Sequence, residues 1–311
     1  MRGSSLLDFI GNTPLVELQR FSPRPGVRIF AKLEGQNPSG SLKDRIVKYM
    51  LEDAERSGKL TKDRILLEPT SGNTGISLAM IGRLKGYRVR VVMPENVTEE
   101  RVTLLQSYGA EITYSDGKRG TNGSIELAQK LCAEDPRYFM LYQYGNQNNP
   151  RAHYETTAAE IIRDLPDVDV FVSGLGTGGT LMGVGRRLRE HNPLVRIVAV
   201  APHPEEIIQG LRSLEEGFIP PIIDLDVLSS RLMIRSRESF IMTKKLMEQE
   251  SIFAGISSGA VMAGAVRVAE GMPSGNVVAL LADSGWKYLS TKLWTRDVEE
   301  LTQNIGVKIW W

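Results

Sequence analysis

The feature that most constrains the fold is a regular alternation of strand-like and helix-like runs along most of the 311-residue chain. Apolar runs such as VRIFAKLE, RILLEP, YRVRVVMP and VRIVAVAP predict buried strands, and amphipathic runs between them predict helices. This order predicts an α/β protein with open parallel sheets and helices on both faces. The length is typical of two α/β lobes or of one large α/β domain. Ligands bind such sheets beyond the carboxyl ends of the strands, where the glycine-rich turns of this chain lie.

Charge and cysteine content limit the partners and the location. The chain has 38 Lys and Arg against 37 Asp and Glu, a net charge of +1, which argues against binding to nucleic acid. No apolar stretch approaches the length that spans a bilayer, so we expect no membrane association. A single cysteine, Cys132, excludes an intramolecular disulfide and fits a reducing cytoplasm. We expect Cys132 to be a small buried side chain rather than a catalytic thiol.

The strongest nucleophile candidate is a lysine in the segment NPSGSLKDR. Lys43 follows the turn and opens a predicted helix, whose dipole is expected to lower the lysine pKa. Schiff-base chemistry requires the neutral amine that such a shift provides. Taken alone, a solvated surface lysine beside Asp44 and Arg45 is the alternative.

The turn GLGTGGT follows the apolar strand DVDVFVS and precedes a predicted helix. Its four glycines let backbone amides approach an anion closely, and Thr177 and Thr180 add hydroxyl donors. Gly174, Gly176 and Gly179 also match the dinucleotide pattern GxGxxG. The next strand, VRIVAVAP, ends without the acidic residue that NAD requires. The turn therefore favours a single phosphate group, and a tight turn without a ligand is the alternative.

Three further segments are candidates for the same site. TSGNTG at a helix start suits a carboxylate, ISSG opens another helix, and YQYGNQNNP is rich in amides. Each could instead be a helix cap or a simple turn. His153, His191 and His203 are scattered without metal-ligand spacing, so a metal site is disfavoured.

Taken together, these segments resemble the fold-type II pyridoxal-phosphate enzymes, and specifically the cysteine synthases (O-acetylserine and O-phosphoserine sulfhydrylases). The resemblance extends from GNTPLVEL through NPSGSLKDR, EPTSGNTGISLA, QYGNQNNPRAHYETT, GLGTGGTLMG and FAGISSGA to DSGWKYLS. It implies two open, mostly parallel twisted sheets flanked by helices, as in tryptophan synthase β. It also implies a smaller domain at residues 40–150, a larger domain at residues 1–39 plus 151–311, and a homodimer.

The resemblance also assigns roles to individual residues. Lys43 would carry pyridoxal 5′-phosphate and later act as the acid and base at the substrate Cα. Asn73 would meet the ring oxygen of the cofactor, and Ser257 its pyridine nitrogen, which a serine leaves unprotonated. The phosphate group would lie on Gly176, Thr177, Gly178, Gly179 and Thr180. The substrate α-carboxylate would be held by Thr70, Ser71, Thr74 and Gln143.

The implied reaction makes L-cysteine by β-replacement on an activated serine, through an α-aminoacrylate. The segment QGLRSLEEGFIP resembles the type B branch that uses O-phospho-L-serine, where Arg212 would pair with the substrate phosphate. A solvated loop arginine facing Glu215 and Glu216 is the alternative. The sulfur donor would be sulfide or a small carrier protein that ends in a thiocarboxylate.

Several alternatives remain open from the sequence. O-acetylserine sulfhydrylase, cystathionine β-synthase and serine or threonine dehydratase activities belong to the same fold. A non-catalytic binding protein on this fold is an alternative of another class. The aromatic tail that ends in Trp310 and Trp311 is expected to act as a lid, or to pack on a dimer partner or on the core.

Overall fold

The computed structural model describes residues 2–70 and 72–303, apart from the side chains of Glu216, Thr302 and Gln303. Ser71 and the tail from residue 304, including Trp310 and Trp311, lie outside the described residues. The strands are β1 Leu15–Glu17, β2 Val27–Leu33, β3 Ile65–Pro69, β4 Arg88–Pro94, β5 Glu111–Ser115, β6 Tyr138–Met140, β7 Val170–Gly174, β8 Arg196–Pro202, β9 Ser230–Ile234 and β10 Gly275–Leu281. The α-helices are α1 Lys43–Arg56, α2 Asn73–Leu84, α3 Glu99–Ser107, α4 Gly120–Glu134, α5 Asn148–Ala152, α6 Ala158–Asp164, α7 Gly179–His191, α8 Ser236–Glu250, α9 Ile256–Glu270 and α10 Val298–Gln303.

The strands form two sheets. The larger sheet has the order β1-β2-β10-β7-β8-β9, and only β1 pairs antiparallel with its neighbour. The smaller sheet has the order β5-β4-β3-β6 and is entirely parallel. The predicted fold class, with two mostly parallel sheets flanked by helices, is confirmed.

Strand β10 shows why the central strands read as unbroken apolar runs. Val277, Ala279 and Leu281 pack into the core on one face of the larger sheet, beside α9. Val278 and Leu280 pack into a second core on the opposite face. Because successive side chains of a strand point to opposite faces, a strand covered on both faces needs apolar residues at every position.

The helices around the smaller sheet bring the two sheets together. Helices α1 and α2 pack over one face of this sheet in a single apolar core. Helix α5 contacts α1 on one side and α7, which follows the larger sheet's β7, on the other. A division into domains at residues 40 and 150 remains a prediction.

Several elements have no counterpart among the predicted ones. Strands β1, β6 and β9 and helix α8 are examples, and α4 begins at Gly120, before the helix-like run SIELAQ. Residues 153–157 form a π-helical turn between α5 and α6. Cys132 packs on the edge of a small apolar core, as expected of a small apolar side chain, but it is only partly buried. No helix among the described residues is long and apolar enough to cross a membrane.

Candidate active site

Loops after several strands of both sheets surround a cavity of about 730 Å³. Most of the site residues predicted from the sequence line this one cavity: Lys43, Thr70, Asn73, Thr74, Gln143, Gly176, Thr177, Arg212 and Ser257. Gly178, Gly179 and Thr180 continue the same turn as Gly176. Segments that are up to 214 residues apart in sequence therefore converge on a single site.

Lys43 is the first residue of α1, as the sequence predicts. The preceding residue, Leu42, donates its backbone N–H to the carbonyl of Ala282 at 3.0 Å, which fixes the lysine loop to the end of β10. Burial lowers the pKa of Lys43 to about 8, although the carboxylates of Asp283 and Glu34 oppose the shift. The predicted direction is therefore correct, but burial rather than the helix dipole is its main cause.

The glycine-rich turn between β7 and α7 has a shape that only glycine allows. Gly178 has φ of +89°, in the left-handed region. A Cβ added to Gly179 would lie 1.8 Å from Oδ1 of Asn149, so no side chain fits there. Asn149 also donates from Nδ2 to Oγ1 of Thr177 at 3.0 Å. The turn thus places backbone amides at the start of α7, where an anion is favoured, although the amide of Gly179 also reaches Oγ1 of Thr177 at 3.4 Å.

A buried histidine supports the same turn from behind. Nε2 of His153 lies 3.3 Å from Oγ1 of Thr180, and its Nδ1 lies 2.9 Å from Oγ1 of Thr157. Burial lowers the pKa of His153 to about 3, so the ring is neutral. This contact of His153 is not evident from the sequence, because the spacing of histidines along the chain reports only on possible metal ligands. Among the described residues, no group of three or more His, Cys, Asp and Glu side chains is placed to hold a metal.

Thr74 and Gln143 form a polar corner of the cavity. Oγ1 of Thr74 donates to Oε1 of Gln143 at 2.8 Å. The fully buried carboxylate of Glu68 accepts the backbone N–H groups of Tyr142 and Gln143, each at 2.9 Å. Burial raises the pKa of Glu68 to about 7, although these hydrogen bonds oppose the shift. A glutamate inside the apolar run RILLEP was the sequence signal for this role.

Arg212 is held in a buried, aromatic setting. Its side chain is 7% exposed, and the guanidinium lies 5.6 Å from the ring centre of Tyr144 and 5.1 Å from that of Phe218. Its Nη1 donates to Oδ1 of Asn122 at 3.2 Å. The alternative of a solvated loop arginine is therefore wrong, and Glu215 pairs with Arg231 instead.

Asn73 and Ser257 occupy two further walls of the cavity. Asn73 opens α2, and its amide contacts a buried group formed by Asp283, Lys287 and Tyr288. Ser257 is the second residue of α9 and is 5% exposed. The cavity therefore combines an amine of lowered pKa, an anion-binding turn, a hydroxyl and an amide, which together suit a phosphorylated ring with an aldehyde.

Comparisons with known proteins give a consistent result. The family model of the pyridoxal-phosphate dependent enzymes matches residues 6–283. Cysteine synthase B of Escherichia coli (strain K12) is 41% identical over 305 residues, which are 98% of this chain and 100% of that protein. The solved cysteine synthase (OASS) of Entamoeba histolytica is 34% identical with a TM-score of 0.88, covering 99% of this chain and 96% of that one. A solved O-ureido-L-serine synthase is 37% identical with a TM-score of 0.89, covering 97% and 100%.

Proposed function

Because the chain belongs to the family of pyridoxal-phosphate dependent enzymes, we propose that it is a cysteine synthase that prefers O-phospho-L-serine. The cofactor of this family is pyridoxal 5′-phosphate. The reaction would replace the phosphate at the substrate Cβ with sulfur and release inorganic phosphate. The observation that carries the substrate preference is the buried guanidinium of Arg212 in the cavity.

The residues present fit the cofactor. The turn at Gly179 packs so closely on Asn149 that no Cβ fits, and it holds glycine backbone at a helix start, the arrangement that suits a phosphate. The amine of Lys43 lines the same cavity as Gly176 and Ser257. We propose that Lys43 carries the cofactor, and that Asn73 and Ser257 contact its ring oxygen and ring nitrogen. Its phosphate would be held by Gly176, Thr177, Gly178, Gly179 and Thr180.

When bound, pyridoxal phosphate accepts the electron pair that remains at the substrate Cα after its proton leaves. The side chains of the protein would supply substrate binding and proton transfer. The amine of Lys43 has a pKa of about 8, so it can take the Cα proton and return it near neutral pH. Thr70, Ser71, Thr74 and Gln143 would hold the α-carboxylate and so orient the Cα–H bond toward that amine.

The setting of Arg212 favours a phosphate over an acetyl group. The planar guanidinium can donate two parallel hydrogen bonds to a phosphate dianion and attracts its charge. An acetyl ester is neutral and offers neither the charge nor the bidentate geometry. Lys118 and Arg119 line the same cavity, but three acidic residues line it too, namely Glu205, Glu206 and Glu215, so the preference rests on Arg212.

The test compares O-phosphoserine with O-acetylserine as substrates for cysteine formation with sulfide. We expect a higher kcat/KM with O-phosphoserine in the natural protein. Arg212→Ala should lower that value by about 100-fold, because a buried charge pair is lost, and should change the value for O-acetylserine by less than about threefold. Arg231→Ala is the matched control, since Arg231 is a more exposed arginine of the larger sheet that pairs with Glu215.

Other results of this comparison would indicate a different activity. An O-acetylserine preference in the natural protein, unchanged by Arg212→Ala, would assign the chain to the O-acetylserine sulfhydrylases, as the name of the Entamoeba histolytica neighbour favours. Cystathionine formation when homocysteine replaces sulfide in the same assay would indicate cystathionine β-synthase activity. Absence of any product with a cofactor-loaded protein would indicate a binding protein.

We further propose a homodimer and, as the sulfur source, sulfide or a carrier protein with a C-terminal thiocarboxylate. The homodimer rests on the resemblance of the whole chain to the cysteine synthases, and the carrier protein on the resemblance of the segments QGLRSLEEGFIP and DSGWKYLS to the type B branch. Size-exclusion chromatography with light scattering measures the first. Cysteine formation with a thiocarboxylated carrier protein, compared with sulfide at equal concentration, measures the second.

A further inference from the structure

Lys287 is a fully buried lysine beside the cavity that has no place in the chemistry described so far. Its Nζ donates to Oδ1 of Asn73 at 2.7 Å and to the carbonyl oxygen of Gly40 at 3.1 Å. Gly40 belongs to the loop that leads to Lys43, and Asn73 opens α2. A single ammonium therefore ties the lysine loop to the residue proposed to face the cofactor ring.

These contacts fix the orientation of the Asn73 amide by chemistry. An ammonium can only donate hydrogen bonds, so the amide atom facing Lys287 must be the oxygen. On the other side, Nδ2 of Asn73 donates to Oδ2 of Asp283 at 2.7 Å. A carboxylate accepts hydrogen bonds, so this contact requires the amide nitrogen. The two ends of the amide are thus held by two side chains of opposite charge.

The charges of this group are partly balanced within it. Burial lowers the pKa of Lys287 to about 8, and the carboxylates of Asp283 and Asp44 oppose that shift. Asp283 also accepts a hydrogen bond from the hydroxyl of Tyr288 at 2.7 Å. Asp283 is thereby fixed in the position from which it engages Asn73.

We propose that Lys287 is a positioning residue that acts through Asn73 on the bound cofactor. By holding Oδ1, it leaves one hydrogen of Nδ2 for the ring oxygen of pyridoxal phosphate, and its charge makes that hydrogen a stronger donor. The inference rests on the proposed function, in which Asn73 faces the ring oxygen. Without Lys287 the buried Oδ1 of Asn73 loses its charged donor and only Asp283 still holds the amide, so the Nδ2 hydrogen is a weaker and less firmly placed donor to the ring oxygen.

The experiment measures the cofactor-loaded protein by its visible absorption spectrum and by the dissociation constant of pyridoxal phosphate. We expect Lys287→Met to weaken or shift the visible band and to raise the dissociation constant about tenfold, as for loss of one charge-assisted hydrogen bond. Lys287→Arg keeps the charge and should restore most of the spectrum. In an Asn73→Ala background, Lys287→Met should change either quantity by less than about twofold, because its effect passes through the amide.

The matched control is Lys32→Met, which removes another fully buried lysine. Lys32 pairs with Glu160 at 2.8 Å and does not line the cavity. We expect Lys32→Met to lower the melting temperature while leaving the spectrum unchanged. Should Lys287→Met fail to fold, Lys287→Gln decides the same comparison.

Failure of the proposed role of Lys287 and failure of the proposed function give different results. A spectrum and dissociation constant of Lys287→Met equal to those of the natural protein would overturn the role of Lys287 alone. An equal effect of Lys287→Met with and without Asn73 would overturn it as well. A colourless natural protein, with no borohydride label on Lys43, would overturn the proposed function itself.

Discussion

Three titratable side chains at the cavity have pKa values shifted toward their neutral forms. The pKa of Lys43 falls to about 8, that of His153 falls to about 3 and that of Glu68 rises to about 7. Burial is the largest cause in each case. The protonation state of the site is therefore set by how the surrounding chain excludes water.

At the residue scale, the lowered pKa of His153 predicts that the folded protein loses stability in mild acid. The folded protein holds this ring neutral, whereas the unfolded chain binds a proton below its ordinary pKa of 6.5. Protonation thus favours the unfolded state, and stability falls as the pH drops from 6.5 toward 3. At about pH 5 the contribution is about 2 kcal/mol.

Urea unfolding near neutral pH and at about pH 5 checks this for the natural protein and for His153→Gln. The natural protein should lose about 2 kcal/mol more than the variant over this interval. His191→Gln is the control, since His191 lies on the exposed end of α7. Parallel losses in the natural protein and in His153→Gln would contradict the assignment.

The sequence predicts the residues that line the cavity better than those that support them. Lys43 and the turn at Gly176 stand out because a lysine after a Pro/Gly/Ser turn, or a run of glycines, has few purely structural roles at a helix start. Asn149 and Lys287 do not stand out, because each acts through a hydrogen bond to a residue distant in sequence. Such partners are defined only once the chain is folded.

At the scale of elements, the close approach of α7 to α5 depends on Gly183. A Cβ added there would lie 2.1 Å from the carbonyl oxygen of Pro150, which is backbone and cannot turn aside. In an isolated helix, glycine to alanine is favourable by about 1 kcal/mol. Here the overlap must instead move one helix away from the other.

We therefore expect Gly183→Ala to lower the free energy of unfolding by about 3 kcal/mol, the upper part of the range for overpacking. Because α7 carries the glycine-rich turn, the affinity for pyridoxal phosphate should fall as well. Gly271→Ala is the control, since the nearest atom to its added Cβ is 3.6 Å away. Thermal denaturation and cofactor titration measure both variants, and equal behaviour of the two would show that the helices adjust freely.

The longest strands that the sequence predicts share one physical property. The seven-residue strands β2, β4, β8 and β10 have mostly buried side chains, so their apolar runs are long and unambiguous. By contrast, β1 and β6 have three residues each, and β9 is half exposed. Their positions are set by the strands with which they pair, which local sequence does not report.

At the scale of the whole molecule, a buried ionic network joins distant parts of the chain. Arg45 of α1 pairs with Glu34 at 2.7 Å and with Glu160 of α6 at 2.6 Å. Lys32 of β2 pairs with Glu160 as well, and Thr13 donates to Glu34. Burial opposes ionisation of Glu160, but the hydrogen bonds and charge of Arg45 hold its pKa down to about 2.

Removing Arg45, the centre of this network, should strongly destabilise the fold. Arg45→Met leaves Glu34 and Glu160 with reduced compensation in the interior, at an expected cost of about 3 to 5 kcal/mol in the free energy of unfolding. Arg237→Ala breaks an exposed pair with Glu299 and should cost less than about 1 kcal/mol. Chemical denaturation of both variants measures the difference, and a cost below about 1 kcal/mol for Arg45→Met would rule out a structural role for the network.

The position of Arg45 has a consequence for turnover. It lies two residues after Lys43 in the first turn of α1, and its guanidinium is gripped from separate segments of the chain. These ion pairs hold the first turn of α1 in place. In the proposed reaction, the amine of Lys43 would therefore move by rotation of its own side chain, and each catalytic cycle would begin from the same backbone position.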